Sequence, residues 1–299
     1  MSEVEESWSE FDSSTVVQLL IRHCPTLEIP PSISKFHSLH GVKVYNSTIV
    51  DWDDSAAFTS ENHPNVLSLY LVRVNMTDGV LPAGLHSLDF PPNLRDIEFC
   101  VTNLQAIPQD LDLKWPRNAQ IQFEYSQLTS IPSELLRLEP EYLFVTGNPM
   151  TIVSAEVFEI PGLQTLGLGH MNLNELPRNV TSPSPTLSVV FLDKTNISFF
   201  WPWMDDIMMK TWGTGFLVAS ATPYCSDFEM IQQGTASAFN TSPSRDYEPM
   251  LMDPSQANIP PVSEVVVCDV SMVATCYFID IDDESMAISP PHALHVVSP

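Results

Sequence analysis

The chain predicts an α/β solenoid with its strands running parallel along one side, and three features of the sequence carry that expectation. The first is the stretch LQTLGLGHMNLNELP at 163–177, which sets Leu163, Leu166, Leu168, Leu173, Leu176 and Pro177 in a fixed frame. The second is recurrence. With the ninth residue of the frame taken as the ladder position, that position falls at Cys24, Ser47, Val74, Thr102, Ser126, Asn148, Met171 and Thr195, at intervals of 23, 27, 28, 24, 22, 23 and 24. A period in the twenties with apolar residues at fixed offsets marks a stack of like units, none of which buries a core alone. The third is alternation inside each copy: Val42/Val44, Leu69/Leu71, Ile97/Phe99, Ile121/Phe123, Leu143/Val145, Leu166/Leu168 and Val190/Leu192. Residues two apart on a strand share a face, so these pairs point inward and their neighbours outward.

The frame resembles the LxxLxLxxNxLxxIPxxL pattern of the leucine-rich-repeat family over residues 16–200. The resemblance implies a curved solenoid with a parallel sheet on its concave face, capped at both ends, and recognition of a protein or peptide on that face, in the manner of a receptor-like ectodomain. In that family an Asn at the ladder position donates its amide hydrogens to turn carbonyls. Here Asn148 alone is Asn; Ser47, Thr102, Ser126 and Thr195 each offer one hydroxyl, Cys24 a thiol, and Val74 and Met171 nothing.

In chain order, residues 1–12 form an acidic arm that is expected to be mobile. Residues 13–34 hold a partial repeat, in which SSTVVQLLIRH fits either a strand or a short helix after a Ser cap. The body at 35–200 alternates strands with returning loops, of which LPAGLHSL (81–88), IPSELLRL (131–138) and VSAEVFEI (153–160) read as short helical turns. Pro30, Pro82, Pro108, Pro132 and Pro177 stop the preceding segments. From 201 the frame ceases. WPWMDDIMMKTW (201–212) is partly helical in pattern and reads as a cover for the last repeat, within a cap region at 201–285 in which PVSEVVVCDV and MVATCYFIDI could be strands. Residues 286–299 read as a loose tail.

With 12 basic against 37 acidic residues the net charge is −25, which argues against nucleic acid or an anionic membrane as the main partner, since both demand clustered cations. No apolar run spans a membrane. The start, MSEVEESWSEFD, lacks the apolar core of a secretory signal, yet five N-x-S/T triplets occur, at Asn46, Asn75, Asn179, Asn196 and Asn240, where chance supplies about two. The expectation is an extracellular or cell-surface module from a longer or mis-started precursor; the alternative is a cytoplasmic chain whose triplets are accidental.

No H-E-x-x-H, G-x-S-x-G, P-loop or G-x-G-x-x-G pattern is present, and the expectation is a binding module with no cofactor or metal, not an enzyme. His37 and His40 lie on a loop, and Asp280, Asp282, Asp283 and Glu284 lack the glycine and distal Glu of a calcium loop. Cys24 is expected buried at a ladder position and Cys100 outward on a strand. The resemblance implies a stapled C-terminal cap, with Cys225–Cys268 the preferred pair among Cys225, Cys268 and Cys276, against the alternative that all thiols are free.

The candidate binding residues are the outward strand positions. Four before the ladder residue stand Lys43, Tyr70, Glu98, Gln122, Phe144, Gly167 and Phe191; two before it stand Tyr45, Val72, Cys100, Glu124, Thr146, Gly169 and Asp193. Aromatics here serve either cross-strand packing or a partner. Gly167 between Phe144 and Phe191 predicts a shallow notch, its two rings about 10 Å apart, with His170 and Asp193 at the rim. The expected partner is another protein or peptide; an intracellular scaffold for signalling proteins is the alternative use of the same surface, and a catalytic C-terminal region the minor one.

Overall fold

The computed structural model of the protein describes residues 3–10, 12–210, 216–241 and 249–269. They divide into two compact units, one of residues up to 128 together with 132–140, the other of 129–131 and residues from 141 on.

The first unit opens with α1 (Glu3–Trp8) and continues through β1 (Gln18–Arg22), β2 (Leu27–Glu28), β3 (Gly41–Asp51), β4 (Ser68–Met76), β5 (Asp96–Cys100) and β6 (Gln120–Glu124), with α2 (Ser133–Arg137). Its strands are parallel in the order β1-β3-β4-β5-β6, with β2 beside β3. The register joins like positions of successive repeats: Val42 to Leu69, Leu69 to Ile97, Ile97 to Ile121. That register is the one that buries every inward residue, since a one-residue slip would turn each of them to the other face. All of these side chains are 0% exposed. Phe99 and Phe123 stack at 5.1 Å, and Trp115 closes over both while its indole N–H donates to the Leu85 carbonyl.

The second unit holds β7 (Tyr142–Phe144), β8 (Thr165–Gly167), β9 (Val189–Phe191), α3 (Pro202–Lys210), β10 (Phe216–Val218), α4 (Pro223–Gln232), α5 (Ile259–Val265) and β11 (Val266–Val267). Its parallel order is β7-β8-β9-β10-β11, with Leu143, Leu166, Val190 and Leu217 aligned. The returning segments form the expected short turns: 3-10 helices at Ala83–Leu85 and Ala155–Glu159, and α2 at the third.

Several expectations change at the ends. The acidic arm is not simply mobile: α1 forms within it because Trp8 is buried against Phe36, centroids 5.2 Å apart. SSTVVQLLIRH resolves into a 3-10 turn capped by Asp12 and then a strand, because Leu19 pairs with Val42 in the ladder and buries its side chain there. The ladder also runs past residue 200, where the sequence frame ceases: β10 and β11 add two parallel strands, and Thr222 takes the next ladder position, its hydroxyl donating to the Ala219 carbonyl at 2.6 Å. In α3, Trp203 packs on Phe158 at 4.8 Å and Asp205 accepts from the backbone N–H groups of Met250 and Leu251, tying the helix to the segment beyond 248. Cys225 on α4 is bonded to Cys268 just after β11, so the thiol-free alternative does not hold for this pair. MVATCYFIDI, Cys276, the acidic run at 280–284 and the tail at 286–299 lie outside the described residues.

The ladder residues act as hydrogen-bond stitches where their chemistry allows. Asn148 donates its amide to the Val145 carbonyl at 2.8 Å, Thr195 its hydroxyl to Leu192 at 2.7 Å, and Thr102 and Ser126 bond to one another at 2.8 Å. Val74 and Met171 are buried and apolar, so cohesion there rests on packing. Cys24 departs from expectation in being only half-buried.

A second regularity sits one residue before the ladder. His23, Asn46, Arg73, Val101, Tyr125, Gly147, His170, Lys194 and Ala221 all have φ between 44° and 73°. The left-handed turn rotates the chain out of the strand while the N–H still reaches the next repeat, as in Val101 to the Glu124 carbonyl at 2.9 Å and His170 to the Asp193 carbonyl at 2.8 Å. A β-branched residue is strained in that region, because Cβ crowds the following carbonyl. Val101→Asn should therefore raise stability by about 1 kcal/mol, read as an increased urea midpoint at unchanged slope.

Candidate recognition surface

On β3 to β6 the outward positions assemble into three rows across the strands. They run Gly41, Ser68, Asp96, Gln120; then Lys43, Tyr70, Glu98, Gln122; then Tyr45, Val72, Cys100, Glu124. Neighbours in a row stand one strand spacing apart, about 4.8 Å, so successive side chains are within reach of one another. The expectation that these positions would be open to solvent is only partly met. Lys43 and Glu98 are half-buried, whereas Tyr45, Tyr70, Val72 and Cys100 form a buried cluster and Gln122 and Glu124 are 1% and 0% exposed. Cross-strand packing therefore accounts for the aromatics here, and Cys100 belongs to that packing.

The polar members are tied to one another. Tyr70 donates its hydroxyl to Asp96 Oδ2 at 2.6 Å, and Gln122 Nε2 donates to Glu98 Oε1 at 3.4 Å. Gln122 Oε1 is buried with no hydrogen-bond partner. Burial, then the charges of Asp96 and Glu124, push the Glu98 carboxyl well above the usual carboxylate range, with Lys43 opposing. Burial, then the charges of Asp96 and Glu98, raise the Tyr70 phenol. Asp96 was missed from sequence because it lies six residues before the ladder; extending the outward alternation of Glu98 back by one step would have found it.

In the second unit the predicted notch is filled. Phe144 and Phe191 have centroids 5.8 Å apart rather than about 10 Å, because the Phe144 ring leans into the space that Gly167 leaves. A Cβ at Gly167 would lie 2.3 Å from Phe144 Cδ1. Gly169 plays the same part for Asp193, whose Oδ1 would stand 2.3 Å from a Cβ there. Asp193 Oδ2 pairs with His170 Nε2 at 3.0 Å, so both predicted rim residues are placed together. Thr146, on the same outward row, is fully buried.

All five asparagines of the glycosylation triplets, Asn46, Asn75, Asn179, Asn196 and Asn240, are exposed. Asn46 bonds through its amide to His23 Nδ1 at 2.9 Å, and Asn240 donates to Asp227 Oδ1 at 2.6 Å. His37 and His40 each use Nδ1 on a separate backbone carbonyl. Among the described residues no group of three His, Cys, Asp or Glu is placed to hold a metal, and no helix is long and apolar enough to cross a membrane.

No protein-family model matches the sequence, and no curated protein matches it. Solved structures do. A leucine-rich-repeat protein of Leptospira interrogans aligns over 89% of this chain and 62% of its own, at 15% identity and a TM-score of 0.53. The leucine-rich-repeat domain of the type III effector XopL aligns over 71% and 70%, at 17% identity and 0.52. TLR13, in its complex with ssRNA13, aligns over 85% of this chain at 12% identity and 0.58, although the chain spans only 32% of it. With the parallel ladders and the repeating register, these likenesses identify the fold of this chain as the leucine-rich-repeat solenoid.

Proposed function

We propose that this protein recognises another protein or peptide through the outward rows of its strands, as a receptor-like or cell-surface module. The observation that carries the reading is the three-row arrangement on β3 to β6. There polar side chains, with Lys43 and Glu98 reaching the surface over a packed aromatic layer, are held on rigid strands at a fixed spacing, so little ordering cost attaches to binding. The charge of −25 favours a protein partner over a nucleic acid, whose phosphates need clustered Lys and Arg. Five exposed Asn residues in N-x-S/T triplets and the Cys225–Cys268 bond support an oxidising, glycosylating compartment. On this reading the protein is a binding module rather than an enzyme.

The test is the mass of protein from its native source before and after deglycosylation, with a non-reducing peptide map. A mass loss and a 225–268 crosslink are the expected results. An unchanged mass with those cysteines as thiols would move the protein to the intracellular-scaffold reading.

A further inference from the structure

We infer that Glu98, Gln122 and Glu124 form a seat for a cationic side chain, an arginine presented by a basic peptide segment of the partner. The inference rests on the outward-face recognition proposed above and specifies its chemistry.

Twelve outward positions on β3 to β6 hold one ammonium, Lys43, and three carboxyls, Asp96, Glu98 and Glu124. Acidic residues alone would be a solvated patch. What distinguishes this group is Gln122, 1% exposed, whose Nε2 donates to Glu98 Oε1 at 3.4 Å while its Oε1 is buried with no partner. A buried acceptor left unpaired beside carboxylates costs the desolvation of that group, and an arriving hydrogen-bond donor relieves it. Glu124 lies one strand over and two residues along from Glu98, so their strand positions are about 8 Å apart, a separation that one side-chain cation can bridge. Guanidinium fits better than ammonium, because its planar fork addresses two carboxylates and an amide oxygen together and it is more weakly hydrated. Glu98 is half-buried, and it is at Glu98 that the group opens to solvent. The raised ionisation of Glu98 agrees: its negative form is disfavoured as the site stands and would be favoured by an arriving cation.

The test selects 12-residue peptides displayed on phage against the full chain, then titrates synthetic copies of the winners. Arginine-rich winners are expected. Q122L and E98Q should each weaken them at least tenfold, E156Q on the exposed surface should leave them unchanged, and lysine in place of the peptide arginine should weaken them. E98Q should also raise the melting temperature, since it removes a disfavoured charge, so loss of binding will not be loss of fold. Basic winners weakened equally by E156Q would overturn the seat in favour of diffuse charge attraction. Spermine displacing them at equal concentration would reassign the site to a free polyamine. Winners without basic residues that are weakened by Tyr70→Phe or Lys43→Ala would overturn the seat while leaving recognition by this face intact. Failure to enrich any peptide would overturn both.

Discussion

Phe144→Ala lowers stability by about 3 kcal/mol, and Gly167→Ala, which is destabilising in the native background, becomes neutral in the Phe144→Ala background. Both expectations come from one contact. The Phe144 ring is 1% exposed, lies against Phe191 and occupies the volume that a Cβ at Gly167 would need, with Cδ1 at 2.3 Å. Removing the ring leaves a cavity; adding the methyl forces the ring off its rotamer at a cost of about 1–3 kcal/mol. Urea midpoints of the two single variants and the double variant close the cycle. Additive losses would mean that the ring does not depend on the missing side chain. Phe144 is therefore a poor probe of binding by alanine substitution, because lost affinity would be confounded with lost structure.

Acidification from pH 6.5 towards 4 destabilises the first unit through His63, by about 3 kcal/mol in all. The imidazole is 0% exposed; its Nε2–H donates to the Ile33 carbonyl at 2.9 Å, Nδ1 accepts from the Thr59 N–H at 3.4 Å, and Phe58 meets it edge-on at 4.8 Å. Burial pushes its pKa down from 6.5 to about 4. The unfolded chain therefore binds a proton between those values that the folded chain refuses, and stability rises with pH across that window. Above 6.5 the contribution is complete; it is lost as pH falls. Glu98 acts with the opposite sign, since its folded pKa is raised: its contribution is present below the ordinary carboxylate range and is lost as pH rises. The two are separated by comparing midpoints at pH 7 and 4.5 for the native chain and His63→Gln, whose pH dependence should be shallower by the His63 share. An unchanged slope would remove His63 as the acid-sensitive group.

The solenoid was legible because a repeat averages over its own exceptions. Val74 and Met171 at the ladder position weaken single copies, yet the intervals and the L-x-L pairs continue through them. The register followed for the same reason: equal positions stack, and Val42, Leu69, Ile97 and Ile121 meet as the frame aligns them. The candidate surface was legible only in part. Alternation assigns a face, but it does not say whether that face is solvated, and Tyr45, Tyr70, Gln122 and Glu124 are buried by neighbours one strand away in the stack.

Sequence by itself determined the period, the inward residues, the strand order within the stack and the excess of acid, because each follows from residue type at a fixed spacing. Tertiary structure alone decided the rest. Nine residues, of types as different as Val101, Tyr125 and Lys194, take the same left-handed turn, because the position in the coil imposes it whatever the side chain. The strands at 216–218 and 266–267 join the ladder without a recognisable frame, since pairing with a preformed edge needs backbone hydrogen bonds more than a leucine pattern. The space over Gly167 is closed by Phe144 for a related reason: an absent side chain is visible in a sequence, but the ring that moves into its place is decided by close packing.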